Sequence, residues 1–303
     1  MAKLTENNIT KKNIKEYLDK YSDFSFEIKV LNKINSLGFS CNHSGTYEDP
    51  ITKKTREFDI RANKVEKLST DVIFTICLAV ECKNISNEYP LLFHCLSRTE
   101  DEAYQDLVWS EYYRPSSVSS LPLSNLYTEY AKKITLSKED SVYKMGELVG
   151  KSCDQIGRKK NNEIFASDSS VFDKISQSIN SSFDIFHWSH YECTTNNNMK
   201  YISIIIPILV VPKNTIWYVL YDDLGSQIKG PENIERIPYF VNKHWKIGEG
   251  KNESPNYYYI SHIEVVELDS LEYLLDLHTE KDRFSYDNLE KYYFNMLGSD
   301  VEI

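Results

Sequence analysis

The chain has 303 residues, 41% hydrophobic and 26% charged, which is the composition of an ordinary soluble globular protein with room for a full core. No stretch is apolar enough to span a bilayer, since the longest, Ile202 to Val211, is short and interrupted by Pro207, and the N-terminus has no signal-peptide core. A formal net charge of −10 argues at first sight against nucleic-acid binding, because phosphates need cationic partners.

Taken in order, residues 1 to 23 read as a short polar helix around Ile9 to Tyr21. Residues 24 to 37 carry Phe24, Leu31, Ile34 and Leu37 at helical spacing, with Gly38 as the residue that ends the helix. Glu27 falls on that apolar face. A carboxylate there is either directed to a polar centre or sits at a helix edge, paired or solvated. Phe39 to Tyr47 predicts a first strand, and Glu48 to Lys54, with Pro50, a hairpin-like turn. Arg56-Glu57-Phe58-Asp59-Ile60-Arg61-Ala62 alternates as a strand does. Val72 to Val80 is too apolar for anything but a buried strand, and it runs into Glu81-Cys82-Lys83. Strand alternation turns Glu81 and Lys83 to one face and Cys82 to the other.

Glu-x-Lys recurs at Glu27-Ile28-Lys29 and Glu249-Gly250-Lys251, so the triplet alone selects nothing. Only the copy at Glu81 follows an apolar strand and precedes a polar stretch. Two carboxylates and an amine at strand ends beside a dry core suit a hard divalent cation and its activated water. The order of a helix bearing Glu27, a strand, a turn, a strand bearing Asp59 and a strand ending in Glu81 and Lys83 resembles the restriction-endonuclease-like, or PD-(D/E)XK, superfamily. The resemblance covers roughly residues 24 to 84, and it departs from the written motif in having Phe58 where the motif has proline.

That resemblance implies an α/β fold with a central mixed sheet flanked by helices, and a nuclease that depends on Mg²⁺, with Mn²⁺ as substitute. Asp59, Glu81 and the Cys82 carbonyl would hold the metal. Lys83 would orient the nucleophile or stabilise developing charge, and Glu27 would hold an outer water or tune Lys83. DNA is the expected substrate, and restriction, anti-phage defence or repair the expected setting. A second copy, or an activating or restraining partner, is compatible with it. The rival reading is a non-cleaving nucleic-acid-binding or scaffold protein that keeps the fold.

The core is expected over 1–230, with a helical insertion over about 88–195. Within it Thr99 to Tyr112 reads as helical and Pro115 to Pro122 as a loop. Val142 to Arg158 reads as a helix broken near Gly146 and Gly150. There Lys151, Gln155 and Arg158 share one side, as phosphate contacts by analogy with the superfamily or as an ordinary solvated face. Residues 132 to 160 hold eight bases against four acids, so the negative charge is not uniform. Ser169 to Phe186 is a helix whose apolar face is Val171, Ile175, Ile179 and Phe183. Tyr201 to Val211 and Thr215 to Tyr221 read as strands completing the sheet.

Residues 231–303 read as an extension packed on the core, with a strand over Tyr257 to Leu268 and a helix from Leu271. Asn256 to Tyr259 with Trp245 reads as core and edge packing rather than base stacking. Residues 261 to 303 hold eleven acids against three bases. The six cysteines lack CxxC or Cys/His ligand spacing, so reduced, buried thiols in a cytoplasmic protein are expected and zinc is not.

Overall fold

The computed structural model describes residues 7–20, 22–49, 52–70, 72–111, 131–137, 140–167, 169–192, 200–247 and 256–279. The expected Pro115–Pro122 loop and the acids beyond residue 279 lie outside them. Helix α1 (Lys11–Lys20) precedes α2 (Phe24–Ser36), which Gly38 ends in a left-handed conformation at φ +85°. The buried stripe of α2 is Phe26, Val30 and Ile34, rotated from the expected one: Phe24 is 60% exposed, while Leu31 and Leu37 pack on the core margin. That rotation moves Glu27 from the centre of the apolar face to its edge.

Strands β1 (Ser40–Glu48), β2 (Thr55–Lys67) and β3 (Val72–Cys82) form an antiparallel meander. Strands β4 (Leu91–Ser97), β5 (Tyr104–Glu111), β6 (Ala131–Ser137), β7 (Leu148–Arg158) and β8 (Ile164–Ser167) follow, then helix α3 (Ser169–Glu192). The chain continues through β9 (Lys200–Val211), β10 (Ile216–Tyr221), β11 (Gln227–Asn233), β12 (Arg236–Ile247) and β13 (Asn256–Glu267), and α4 (Leu271–Thr279) closes the described residues. Together the strands make one mixed sheet in the order β1-β2-β3-β9-β13-β12-β7-β4-β10-β11, with β5 and β6 branching from β9 and β8 from β7. Helices α2 and α4 cover one face of β2, β3 and β9, and α3 covers the other. No helix among the described residues is long and apolar enough to cross a membrane.

Two expectations are corrected. Among the described residues of the insertion over about 88–195, α3 is the one α-helix, and what precedes it is mostly strand. Thr99–Tyr112 holds a single 3₁₀ turn at Glu100–Glu102 followed by β5, and Val142–Arg158 ends in β7 rather than a helix. Pairing of β7 along β4 from Leu91↔Gln155 to Ser97↔Leu148 overrides the helical spacing of its polar residues. Gly157, unfavourable in a helix, suits this strand because a Cβ there would lie 2.6 Å from the Tyr89 ring. The segment after residue 231 is also no mere extension, since β13 lies between β9 and β12 inside the sheet.

A proline in a central strand removes a ladder donor, and β9 shows how it is accommodated. Strand β9 pairs β3 along its whole length, but its other edge changes partner: β5 pairs Lys200 to Ser203 and β13 pairs Ile208 to Val211. The Val210 carbonyl accepts the Lys83 N–H on the β3 side, so alternation turns the nitrogen of Pro207 to the opposite edge, into the gap between the two partners.

Farther along, Glu264 of β13 is fully buried and accepts two bonds from Arg236, at 2.7 and 2.8 Å, with His278 of α4 at 3.1 Å. Burial opposes its charge, yet Arg236 and His278 hold the carboxyl well below the usual range. This cluster ties α4 to the sheet. Arg236→Met leaves the Glu264 charge buried without its strongest partner and should lower stability by about 3–5 kcal/mol, read as a drop in the urea midpoint.

Candidate active site where β2, β3 and α3 meet

Asp59 and Glu81 lie on neighbouring antiparallel strands, and both face α3. The β2–β3 register pairs Ile60 with Val80, which sets Asp59 beside the Glu81 end of β3. Asp59 Oδ2 accepts the Cys82 backbone N–H at 2.8 Å, a bond that pins the carboxylate to the last residue of β3. Glu81 is 1% exposed.

The cation between them comes from α3. Lys174 Nζ donates to Asp59 Oδ2 at 2.6 Å and to Glu81 Oε2 at 2.9 Å. Helical spacing explains its reach. Lys174, Ser178, Ser181 and Ser182 share one flank of α3, and the serines are small enough to let the helix sit against the sheet. Ser178 Oγ donates to the Ala79 carbonyl at 2.8 Å, and Arg61 donates to Ser181 Oγ at 3.0 Å and Asp184 Oδ2 at 2.6 Å. With α3 fixed there, its first turns carry Lys174 over the end of β3.

Glu81 Oε1 is buried and receives no donor among the described residues. Burial, reinforced by the Asp59 charge, pushes the Glu81 carboxyl up to about 8, against the attraction of Lys174. The protonated acid satisfies the site better than the anion, because its proton can be given to Asp59. For Lys174, burial works against the ammonium, but Glu81 and Asp59 together hold its pKa above the ordinary lysine value. Two carboxyl groups therefore share one firmly held ammonium and, at neutral pH, largely one further proton.

The remaining expected residues divide. Lys83 lies one residue past the end of β3, and its ammonium pairs with Asp23 at 3.9 Å instead of the two carboxylates. Asp23 also accepts the Asn84 N–H at 2.7 Å, so the chain after β3 is tied to the start of α2 and Lys83 serves that tie. The expectation that Lys83 supplies the site's amine is thus corrected in favour of Lys174. Cys82 gives its N–H to Asp59 while its thiol is buried in the core on the α2 side. Glu27 accepts from or shares a proton with His43 Nε2 at 3.0 Å; burial and the nearby Asp59 charge raise its pKa, so it stands within electrostatic reach of the site.

Lys151, Gln155 and Arg158 are not brought to Asp59. They lie on β7, five strand steps from β2 at about 4.8 Å per step. Lys151 pairs with Glu102, Gln155 donates to the Tyr89 carbonyl at 3.0 Å, and Arg158 donates to the Asn162 carbonyl at 2.8 Å.

Among the described residues no group of three or more His, Cys, Asp or Glu side chains clusters as a metal site. The donor set here is two carboxylates, one with an orphaned oxygen. That fits a hard ion that keeps most of its water and takes one or two carboxylates, and does not fit a zinc site. No family model, no curated protein and no solved structure matches the chain.

Since Glu81 holds its proton up to about 8 when folded but only to about 4.5 when unfolded, its contribution to stability is full below the lower value and is lost as pH rises between the two. Glu81→Gln removes this titration. Urea midpoints compared near pH 5 and near pH 8.5 should fall more steeply with pH for wild type than for the variant, and equal slopes would contradict the raised carboxyl.

Proposed function

We propose that the chain is a metal-dependent nuclease, with Asp59, Glu81 and Lys174 as its working groups. The observation that carries this reading is the buried lysine held between two strand-end carboxylates, one of which has an oxygen without a donor. The order of elements from α2 to β3, which resembles the restriction-endonuclease-like superfamily, supports it. Asp59 and Glu81 would hold Mg²⁺ or Mn²⁺, and a bound ion of this kind polarises a phosphate and lowers the pKa of a bound water.

The protein's own groups would do the rest. Asp59, fixed by the Cys82 N–H, keeps its orientation without reorganising. Lys174 carries a permanent positive charge where phosphate oxygens gain negative charge, and its placement by α3 costs no rearrangement during reaction. Glu27, near enough to feel Asp59 and Lys174, would orient water at the rim. DNA is the proposed substrate, by the same resemblance. The observation favouring a non-cleaving reading is the ammonium itself, which already neutralises the carboxylates as a structural bridge would.

Cleavage of plasmid, linear duplex, single-stranded DNA and RNA with Mg²⁺ or Mn²⁺ separates the two. Asp59→Asn and Lys174→Gln should each lower cleavage by at least roughly 100-fold, while Lys83→Gln stays within about tenfold of wild type. Circular-dichroism melts confirm that each variant is folded. Loss in Lys83→Gln with survival in Lys174→Gln would reverse the assignment of the amine, and no cleavage of any substrate would favour the non-cleaving reading.

A further inference from the structure

On the flank of α3 away from Lys174, the helix and β12 enclose a cavity of about 390 Å³. Its size is that of a small-molecule site. Two aromatic side chains line it, Phe172 from the helix and Tyr239 from the strand; the Phe240 ring packs on His262 on the opposite face of the sheet. Ser176 and Lys243 add a hydroxyl and an ammonium. No carboxylate belongs to the lining, although the chain carries a net charge of −10. Lys243 is only partly exposed, and no ion pair joins it to a described carboxylate.

An aromatic-walled pocket whose ammonium has no ion pair among the described residues selects a flat ring that carries negative charge. A purely apolar ligand would leave Lys243 desolvated for nothing, and a bare anion would not use the rings. Phe172 is 58% exposed, so a ring entering the cavity covers apolar surface that now meets water. We infer that this pocket binds a nucleotide, with the base against the aromatic side chains and its phosphate on Lys243. The inference rests on the nuclease reading in one respect: the nucleotide is taken to belong to the strand being cut. Phe172 and Ser176 lie two residues either side of Lys174, about 200° around α3, so pocket and proposed active site lie on opposite flanks of one helix of about 10 Å diameter. A strand passing over the N-terminal turns of α3 would place one phosphate at Lys174 and a neighbouring base in the cavity.

Calorimetric titration of the full chain tests this with adenosine 5′-monophosphate, adenosine, inorganic phosphate and a six-nucleotide single-stranded DNA, the last added to Asp59→Asn so that it stays intact. The nucleotide should bind saturably and more tightly than adenosine or phosphate. Lys243→Gln should weaken the nucleotide about tenfold and leave adenosine unchanged, and Phe172→Ala, at an exposed position that the fold tolerates, should weaken both by roughly tenfold.

Binding of the oligonucleotide, displaced by the mononucleotide, identifies the substrate strand as the source. Binding of the mononucleotide alone identifies a free nucleotide instead and overturns the strand assignment. No saturable nucleotide binding, or binding indifferent to both substitutions, overturns the pocket. Nucleotide binding in a protein that cuts nothing would sink the nuclease reading and leave the pocket standing, whereas cutting without nucleotide binding would do the reverse.

Discussion

Burying two carboxylates under a helix is unfavourable by several kcal/mol per ion unless charge is supplied at the same place. Lys174 supplies it, and its position is the constraint to which the surrounding structure conforms. The amine must reach the end of β3 from outside the sheet, so α3 must lie close. Close approach requires the serines at 178, 181 and 182, and their hydroxyls need partners, which the Ala79 carbonyl, Arg61 and the Ser178 carbonyl provide in turn. One ammonium cannot offset two buried negative charges without help, and Glu81 answers this by holding its proton. The groups proposed to act on phosphate are thus also those that make the β2–β3–α3 contact electrostatically tolerable.

Much of this was legible in the sequence. Period-two alternation around Asp59 and the apolar run before Glu81 locate β2 and β3, because both strands lie in an ordinary antiparallel meander whose signal is local. The amine was not legible. Lys83 satisfies the linear motif, but it lies one residue past the end of β3, and Asp23 takes its side chain. Lys174 sits more than ninety residues downstream, one position before Ile175 on a helix that was read only for its apolar stripe. The signal that could have found it was the polar flank beside that stripe, where a lysine is followed at helical spacing by small hydroxyl residues instead of further charges.

The misreading of β7 has a different cause. Its polar residues recur at spacings that fit either period, and Gly146 and Gly150 suggest a broken helix. What decides the matter is β4, fifty residues away in sequence, whose pairing and aromatic side chains need a strand with bare backbone beside it. Long-range pairing of this sort leaves little trace in a single chain. Together with β12 and β13, it turns what read as an insertion and an appendage into half of one continuous sheet.

Pro207 gives that sheet its shape in one further sense. Strand β9 is a three-way junction, and a junction of identical rails is unstable towards zippering: β5 could advance along β9 at the expense of β13, or the reverse. A residue with no donor stands next to Ile208, where the β13 ladder begins, and a β13 that advanced past it towards β5 would gain no bond from its nitrogen. The proline is a boundary marker at the start of the β13 ribbon. The sheet forks in the short stretch between Ser203 and Ile208, and the branch carrying β5 and β6 stays distinct from the ladder that leads on to β12.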